Sequence, residues 1–259
     1  MTLGFLWRPL PILTLTVRQF LGGRAVRVVT VLSLIPCLFA GIYLLNTDDT
    51  SPRQFLVDLF QEVLVAPTLL PIVVLILATA ALGNEVEDRT LPYLTLKPVA
   101  RLRIVLEKLG GILVVALPTV LGGLALAALI VARAPEPATR LGLDAPYGRI
   151  VWAMLAAAAV GTLLIASIFL AVSLIAPRAL LVGIVYTFTW ESLLGRYLPG
   201  LRVVSIRHYV QSVFVALVDD PDVTIDNATS LRASLITVAV ACVVALLFAT
   251  WRLRRMNLE

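Results

Sequence analysis

Residues that bind metals or form disulfides are scarce in this chain. Its 259 residues include one histidine, His208, and two cysteines, Cys37 and Cys242. Both cysteines fall inside apolar segments, where a thiol behaves as a small hydrophobic side chain, and we expect no disulfide. One histidine and two such thiols cannot supply the four ligands of a structural zinc site, so the sequence predicts no metal site.

The sequence also lacks the short motifs of common hydrolases. A phosphate-binding P-loop needs Gly directly before its Lys, but the two lysines of the chain, Lys97 and Lys108, follow a leucine and a glutamate. The HExxH motif needs two histidines, and no GxSxG turn occurs. We therefore predict no catalytic residue and no ATPase activity in this chain itself.

Charged residues are sparse as well. Only 14% of the residues are charged and 60% are hydrophobic, against about 25% charged and roughly 45–50% apolar in soluble domains. A bilayer accepts apolar helices of about 20 residues because each helix satisfies its own backbone hydrogen bonds. The composition predicts an all-α integral membrane protein with a single transmembrane domain over residues 1–259. The net charge of +5 favours membrane lipid as the anionic partner over nucleic acid.

Apolar runs separated by polar segments predict six transmembrane helices. They are Val28–Leu45, Leu64–Leu82, Leu109–Ala132, Ile150–Ile175, Leu180–Gly195 and Leu231–Thr250. The fifth is marginal in length, and it contains Glu191. An even number of spans places both termini on the same side of the membrane.

The distribution of positive charge predicts which ends of the spans face the cytoplasm. Lys and Arg favour the cytoplasmic flanks of spans, and most of the 21 in this chain lie on the side that carries both termini and residues 83–108. We therefore predict a multi-pass protein of the cell (plasma or inner) membrane with both termini in the cytoplasm. Residues 196–230 then form an extracytoplasmic segment.

A candidate amphipathic helix precedes the first span at residues 10–22. Leu13, Val17 and Phe20 share one face at helical spacing, with Arg18 turned away from them. Such a helix lies at the membrane interface. It either anchors the chain and positions the first span, or it helps to grip a cytoplasmic partner.

The polar stretch 83–108 between the second and third spans holds both lysines and a cluster of acidic residues. Thr90 can cap a short helix that has Pro92 in its first turn and stops at Pro98. This helix would carry more apolar surface than a short exposed element normally shows, and charged residues flank it. Two interpretations stay open: a docking element for a partner, or a plain loop with solvated charges.

This stretch resembles the first inner loop of type-2 export permeases of ABC transporters. The resemblance lies in NEVEDRTLPYL from Asn84, in KPVAR from Lys97, and in the Glu107-Lys108 pair at the start of the third span. The family commonly has Gly before its Thr, where this chain has Arg89. The resemblance covers the loop and extends loosely to the six-span layout and the amphipathic start.

The resemblance implies a permease that pairs with a second copy (homodimer) or a close relative (heterodimer), with two copies of a cytoplasmic ABC-type ATPase. ATP and magnesium would bind to that partner, and this chain would bind no cofactor itself. The resemblance also implies export, short outer helices between the fifth and sixth spans, and a coupling helix within the loop. The residues that would couple to the ATPase are Glu85, Glu87, Asp88, Arg89, Thr90, Leu91, Pro92, Tyr93 and Leu94.

Glu191 is the one charge predicted well inside an apolar span. A carboxylate is costly in hydrocarbon, which makes it a functional candidate by default. Either it lines the transport path with Tyr186, Thr187, Thr189 and Trp190, or it pairs with an arginine and braces the outer helices.

Prolines interrupt two of the predicted spans. Pro67 and Pro71 lie in the second span and Pro118 in the third, and each removes an intrahelical hydrogen bond. They act either as hinges for switching between inward and outward states or as static kinks that set the packing.

Three function classes fit these features: an ATP-driven export permease, an ATP-independent secondary transporter, and a membrane scaffold. A secondary transporter usually keeps several ionisable groups near the midplane and often has an internal repeat. Here only Glu191 qualifies and no repeat is visible. We predict the permease, which moves an unidentified substrate with ATP hydrolysed by a separate subunit docked on residues 83–108.

Overall fold

A computed structural model describes residues 11–45, 50–63, 65–83, 100–134, 143–176, 178–189, 205–225 and 227–255, and the regular structure in these ranges is helical. Within them, five helices are long and apolar enough to cross a membrane. We call them the first, second, third, fourth and last spans: Arg24–Leu45, Pro52–Gly83, Arg101–Val131, Tyr147–Val172 and Leu231–Arg255. The shorter helices are the first helix, the short helix and the far-end helix: Pro11–Gly22, Ala179–Thr189 and Ile206–Val218.

These helices confirm an all-helical fold with membrane-spanning segments. The predicted fifth span, Leu180–Gly195, coincides with the short helix as far as Thr189. Residues 190–204 lie outside the described part of the chain, so the count of six spans stays a prediction. The helix predicted at 10–22 is present as the first helix, and its place at a membrane surface stays a prediction.

The bundle has two distinct ends. Lys108 near the start of the third span is hydrogen-bonded to Ala81 at the end of the second span, and we call this the loop end because residues 84–99 connect there. At the opposite, far end, Tyr147 of the fourth span donates to the Ala128 carbonyl of the third. The first helix lies at the loop end, and the far-end helix lies at the other.

The second span starts earlier than predicted. Ser51 caps it by accepting a hydrogen bond from the Gln54 amide at 3.2 Å, and Pro52 occupies its first turn, where a missing N–H costs nothing. The helix therefore extends beyond the predicted span Leu64–Leu82, because the polar residues between Pro52 and Leu64 lower the hydropathy of a segment that is nevertheless helical.

The second span contains three π-helical turns. Leu59–Val63 and Val65–Leu69 lie between its α-helical segments Pro52–Asp58 and Leu70–Ala78, and Thr79–Gly83 follows the second segment. Pro67 lies in the middle π-helical turn, and Pro71 is the second residue of the α-helical segment that follows it. A proline has no N–H to donate, and π-helical turns are a common way to accommodate the lost bond. Pro118 instead lies inside the continuous helix Arg101–Val131. The choice between hinge and static kink stays open.

The second and fourth spans form the centre of the bundle. Within an apolar 18-residue stretch of each span, buried residues make up 75% in the second span and 61% in the fourth, against 22% in the first and 33% in the last. The first and last spans therefore present most of their apolar side chains outward, as helices do when lipid or another chain surrounds them.

Candidate functional site

The ends of the 84–99 loop form the best-defined polar site at the loop end of the bundle. The nine predicted coupling residues, Glu85 to Leu94, lie outside the described residues. What the structure shows is how the spans are held where this loop leaves the second span and returns to the third. Two adjacent residues of the third span, Glu107 and Lys108, make these connections.

Lys108 joins the second and third spans. Its side chain is fully buried, and its Nζ donates a hydrogen bond to the Ala81 carbonyl at 2.9 Å. Ala81 lies in the π-helical turn Thr79–Gly83 of the second span, where the ladder of backbone hydrogen bonds departs from the regular α-helical pattern. A buried ammonium is costly unless it is hydrogen-bonded, so this pairing fixes the two ends of the loop against each other.

Glu107 joins the third span to the first helix. Only 3% of the residue is exposed. Its Oε2 accepts hydrogen bonds from the backbone amides of Ile12 at 2.9 Å and Leu13 at 3.3 Å, and its Oε1 accepts one from Arg103 Nε at 2.6 Å. The carboxylate therefore caps the first turn of another helix, where unpaired N–H groups and the positive end of the dipole favour an anion.

Close packing continues this contact along the third span. A methyl group at Gly111 would lie 2.8 Å from Cγ2 of Thr16, which is itself fully buried. A glycine is therefore needed where the two helices touch. The first helix packs directly on the third span, an arrangement that neither sequence-based interpretation of residues 10–22 included.

The sequence analysis left two interpretations for the charges of the 83–108 stretch, a docking surface or solvated side chains, and Glu107 and Lys108 fit neither. Both side chains are buried inside the protein, because partners from distant segments surround them. The pair Gly110-Gly111 that follows them was the available signal, since small residues let helices approach closely.

Of the residues predicted around Glu191, the structure describes three, and their surroundings differ. The Tyr186 ring meets the edge of Phe169 in the fourth span, with ring centroids 6.0 Å apart. Thr187 is buried and its hydroxyl donates to the Gly183 carbonyl at 2.9 Å, whereas Thr189 is exposed. Trp190 and Glu191 lie outside the described residues.

Comparison with known proteins adds one finding. The sequence matches the family described as ABC-2 family transporter protein over residues 24–194, which is more than half of the chain. The match includes the first four spans, the 84–99 loop and the short helix. Among curated proteins, none matches the sequence.

Proposed function

The chain belongs to the ABC-2 transporter family as a membrane-spanning, non-catalytic permease component, and on that premise we propose that a separate ATPase subunit docks on its 83–108 loop. That subunit binds ATP and magnesium and hydrolyses the nucleotide. The complete transporter contains two ATPase copies and a second permease chain, identical or related, and it exports a substrate that is not yet identified.

The connection that Lys108 makes at the base of the loop carries this proposal. A coupling element is effective when it cannot move independently of the helices that it drives. The buried bond from Lys108 to Ala81 ties both ends of the loop together, and Glu107 adds the first helix to the same unit. A displacement of the loop by a bound ATPase would therefore act on the first helix and the second and third spans together.

The charge distribution supports a cytoplasmic position for the loop end. The basic residues Arg24, Arg27, Arg101 and Arg103 lie there. The last span also finishes at this end, with Arg252, Arg254 and Arg255 in its final turn. Positively charged flanks favour the cytoplasm. We accordingly place both termini and the loop inside the cell and the far end outside.

Within the loop, we propose that the residues from Glu85 to Leu94 contact the ATPase. Leu91 and Tyr93 supply the apolar side of the contact, and the acidic residues before them supply the polar side. For Tyr186, Thr187, Thr189, Trp190 and Glu191, we propose a structural brace around Glu191, with a place along the transport path as the alternative.

A double substitution tests the docking. We expect Leu91→Asp with Tyr93→Asp to remove the ATPase from the purified permease without preventing membrane insertion, because two carboxylates in an apolar groove would be desolvated without partners. The measurement is mass spectrometry of the tagged chain purified in mild detergent, which quantifies any P-loop ATPase that accompanies it.

The matched control for this test is Leu91→Ile with Tyr93→Phe, which keeps the apolar surface and should retain the ATPase. If the Asp variant retains the ATPase at the same stoichiometry, the loop is not the docking site. If the unaltered chain purifies without any ATPase, the result favours the alternatives of a secondary transporter or a scaffold.

A further inference from the structure

A groove runs between the beginning of the first helix and the start of the third span, at the loop end of the bundle. The residues that line it are Leu13, Ala100, Leu102, Arg103, Leu106 and Glu107. Its volume is about 410 Å³, within the range of roughly 300–1,000 Å³ that sites for small ligands have. The groove is therefore large enough to hold a small ligand or part of a longer one.

The lining of the groove is almost entirely apolar, and part of it is exposed. Leu102 and Leu106 lie one helical turn apart on the same face of the third span, and they are 41% and 47% exposed. On the other side of the groove, Leu13 of the first helix packs on Gly110, where a methyl group would lie 3.0 Å from the Leu13 Cδ1. Exposed apolar surface of this kind marks a site for an apolar ligand or for the membrane.

The exposed apolar surface continues from the groove into the membrane-spanning part of the third span. Val114 is exposed as well, and a helical rise of about 1.5 Å per residue places it roughly 12 Å deeper in the span than Leu106. A hydrocarbon chain can therefore lie against the third span from the groove inward.

The Arg103 side chain supplies a positive charge at the groove. It is partly exposed, and within the described ranges its one hydrogen bond runs from Nε to Glu107 Oε1 at 2.6 Å. This bond leaves its two terminal nitrogens to another acceptor. A planar guanidinium presents such donors in a fork that matches the oxygens of a phosphate group.

The Glu107 carboxylate is compatible with an anion at this position. Its side chain is almost fully buried, and both of its oxygens already accept hydrogen bonds, Oε1 from Arg103 and Oε2 from the amides of Ile12 and Leu13. Those amides belong to the first turn of a helix, whose dipole offsets negative charge. Glu107 therefore fixes the position of the guanidinium and leaves its terminal nitrogens to a phosphate.

We propose that this groove binds an anionic phospholipid of the cytoplasmic leaflet, with the phosphate on Arg103 and an acyl chain against Leu102 and Leu106. The cytoplasmic leaflet carries anionic headgroups, which attract arginines close to the membrane surface. This inference rests on the cytoplasmic position of the loop end proposed above. The bound lipid touches both the first helix and the third span, and it stabilises their contact.

Native mass spectrometry of the full chain in mild detergent tests the charge of the ligand. The chain is titrated with dioleoylphosphatidylglycerol, which is anionic, or with dioleoylphosphatidylcholine, which has no net charge, and the dissociation constant of the first bound lipid is measured. We expect phosphatidylglycerol to bind about tenfold more tightly, and Arg103→Gln to remove this preference, because the charge-assisted bonds to the phosphate are lost. The matched control is Arg133→Gln, an exposed arginine just beyond the other end of the third span, which should keep the preference.

A second pair of variants tests the apolar part of the site and leaves the bond between Arg103 and Glu107 in place. We expect Leu102→Ser with Leu106→Ser to weaken the binding of phosphatidylglycerol about tenfold, since less apolar surface leaves water when the acyl chain binds. The matched control is Leu126→Ser with Leu129→Ser, two exposed leucines near the far end of the same span. This control should bind phosphatidylglycerol as tightly as the unaltered chain.

Equal affinity of the unaltered chain for the two lipids would overturn the proposal, and so would an equal loss of binding in a variant and its control. Displacement of the lipid by inorganic phosphate alone would also overturn it, because the acyl chain would then contribute nothing. If the chain purified together with an ATPase loses the lipid that the chain alone binds, the groove belongs to the ATPase contact instead. The titration of the chain alone uses neither ATP nor an ATPase, so a failure of the lipid site and a failure of the proposed function give different results.

Discussion

Single residues at the loop end have energetic roles that can be measured separately. Replacing Glu107 by Ala would leave two backbone amides of the first helix and the Arg103 guanidinium without their acceptor. We expect this to lower the free energy of unfolding by about 2–3 kcal/mol, since hydrogen bonds to charged groups are worth roughly 1.5–3 kcal/mol each and Arg103 remains partly solvated. Glu107→Gln should cost less, because an amide oxygen still accepts.

Thermal unfolding of the purified protein in detergent checks this order of stability. Glu62→Ala is the control, since Glu62 is an exposed carboxylate in the second span, and exposed substitutions usually change stability by less than about 0.5 kcal/mol. If Glu107→Ala is no more destabilising than Glu62→Ala, the carboxylate does not hold the first helix in place.

Some pairs of helices pack so closely that a glycine is needed at the contact. The shortest such distance is between the first and third spans. The first span is interrupted at Leu34, between the helices Arg24–Ser33 and Ile35–Leu45, and Pro36 follows the interruption. A methyl group at Gly123 of the third span would lie 1.9 Å from the Ser33 carbonyl oxygen, so the two spans could not keep this distance.

We therefore expect Gly123→Ala to destabilise the protein by about 1–3 kcal/mol, the usual effect of overpacking. A methyl group at the adjacent Gly122 would meet no atom of another described side chain or helix within 4 Å. Gly122→Ala should therefore be neutral or stabilising by about 0.5–1 kcal/mol, because alanine favours a helix. Melting temperatures of the two variants give the comparison. Similar melting temperatures for the two variants would mean that the first and third spans can move apart to accommodate the methyl group without loss of stability.

For the whole molecule, the orientation proposed above predicts on which side of the membrane each end of the bundle lies. Asp222 is exposed near the far-end helix, and Arg254 is exposed at the end of the last span. With a membrane-impermeant maleimide, we expect Asp222→Cys to react in intact cells and Arg254→Cys to react only after the membrane is permeabilised. The opposite pattern would reverse the orientation and place the 83–108 loop outside the cell, where no ATPase could dock.

The amino-acid sequence by itself determined the membrane character, the helical class and the approximate position of each long span. These properties follow from local hydropathy, because about 20 consecutive apolar residues are stable across a bilayer only as a helix. The resemblance of residues 84–108 to a permease loop also needed no structure. The early start of the second span at Pro52 was missed because Asp58, Gln61 and Glu62 make that part of the helix polar.

Only the tertiary structure decided the partners of the polar residues. The charges of Glu107 and Lys108 suggest solvent exposure, yet the first helix and the end of the second span bury them. Likewise, Gln211 and the Gln61 carbonyl are 150 residues apart along the chain, and their hydrogen bond forms because of a π-helical turn that the sequence does not reveal. The physical reason is that hydropathy depends on neighbours along the chain, whereas a hydrogen bond depends on which segments meet in space.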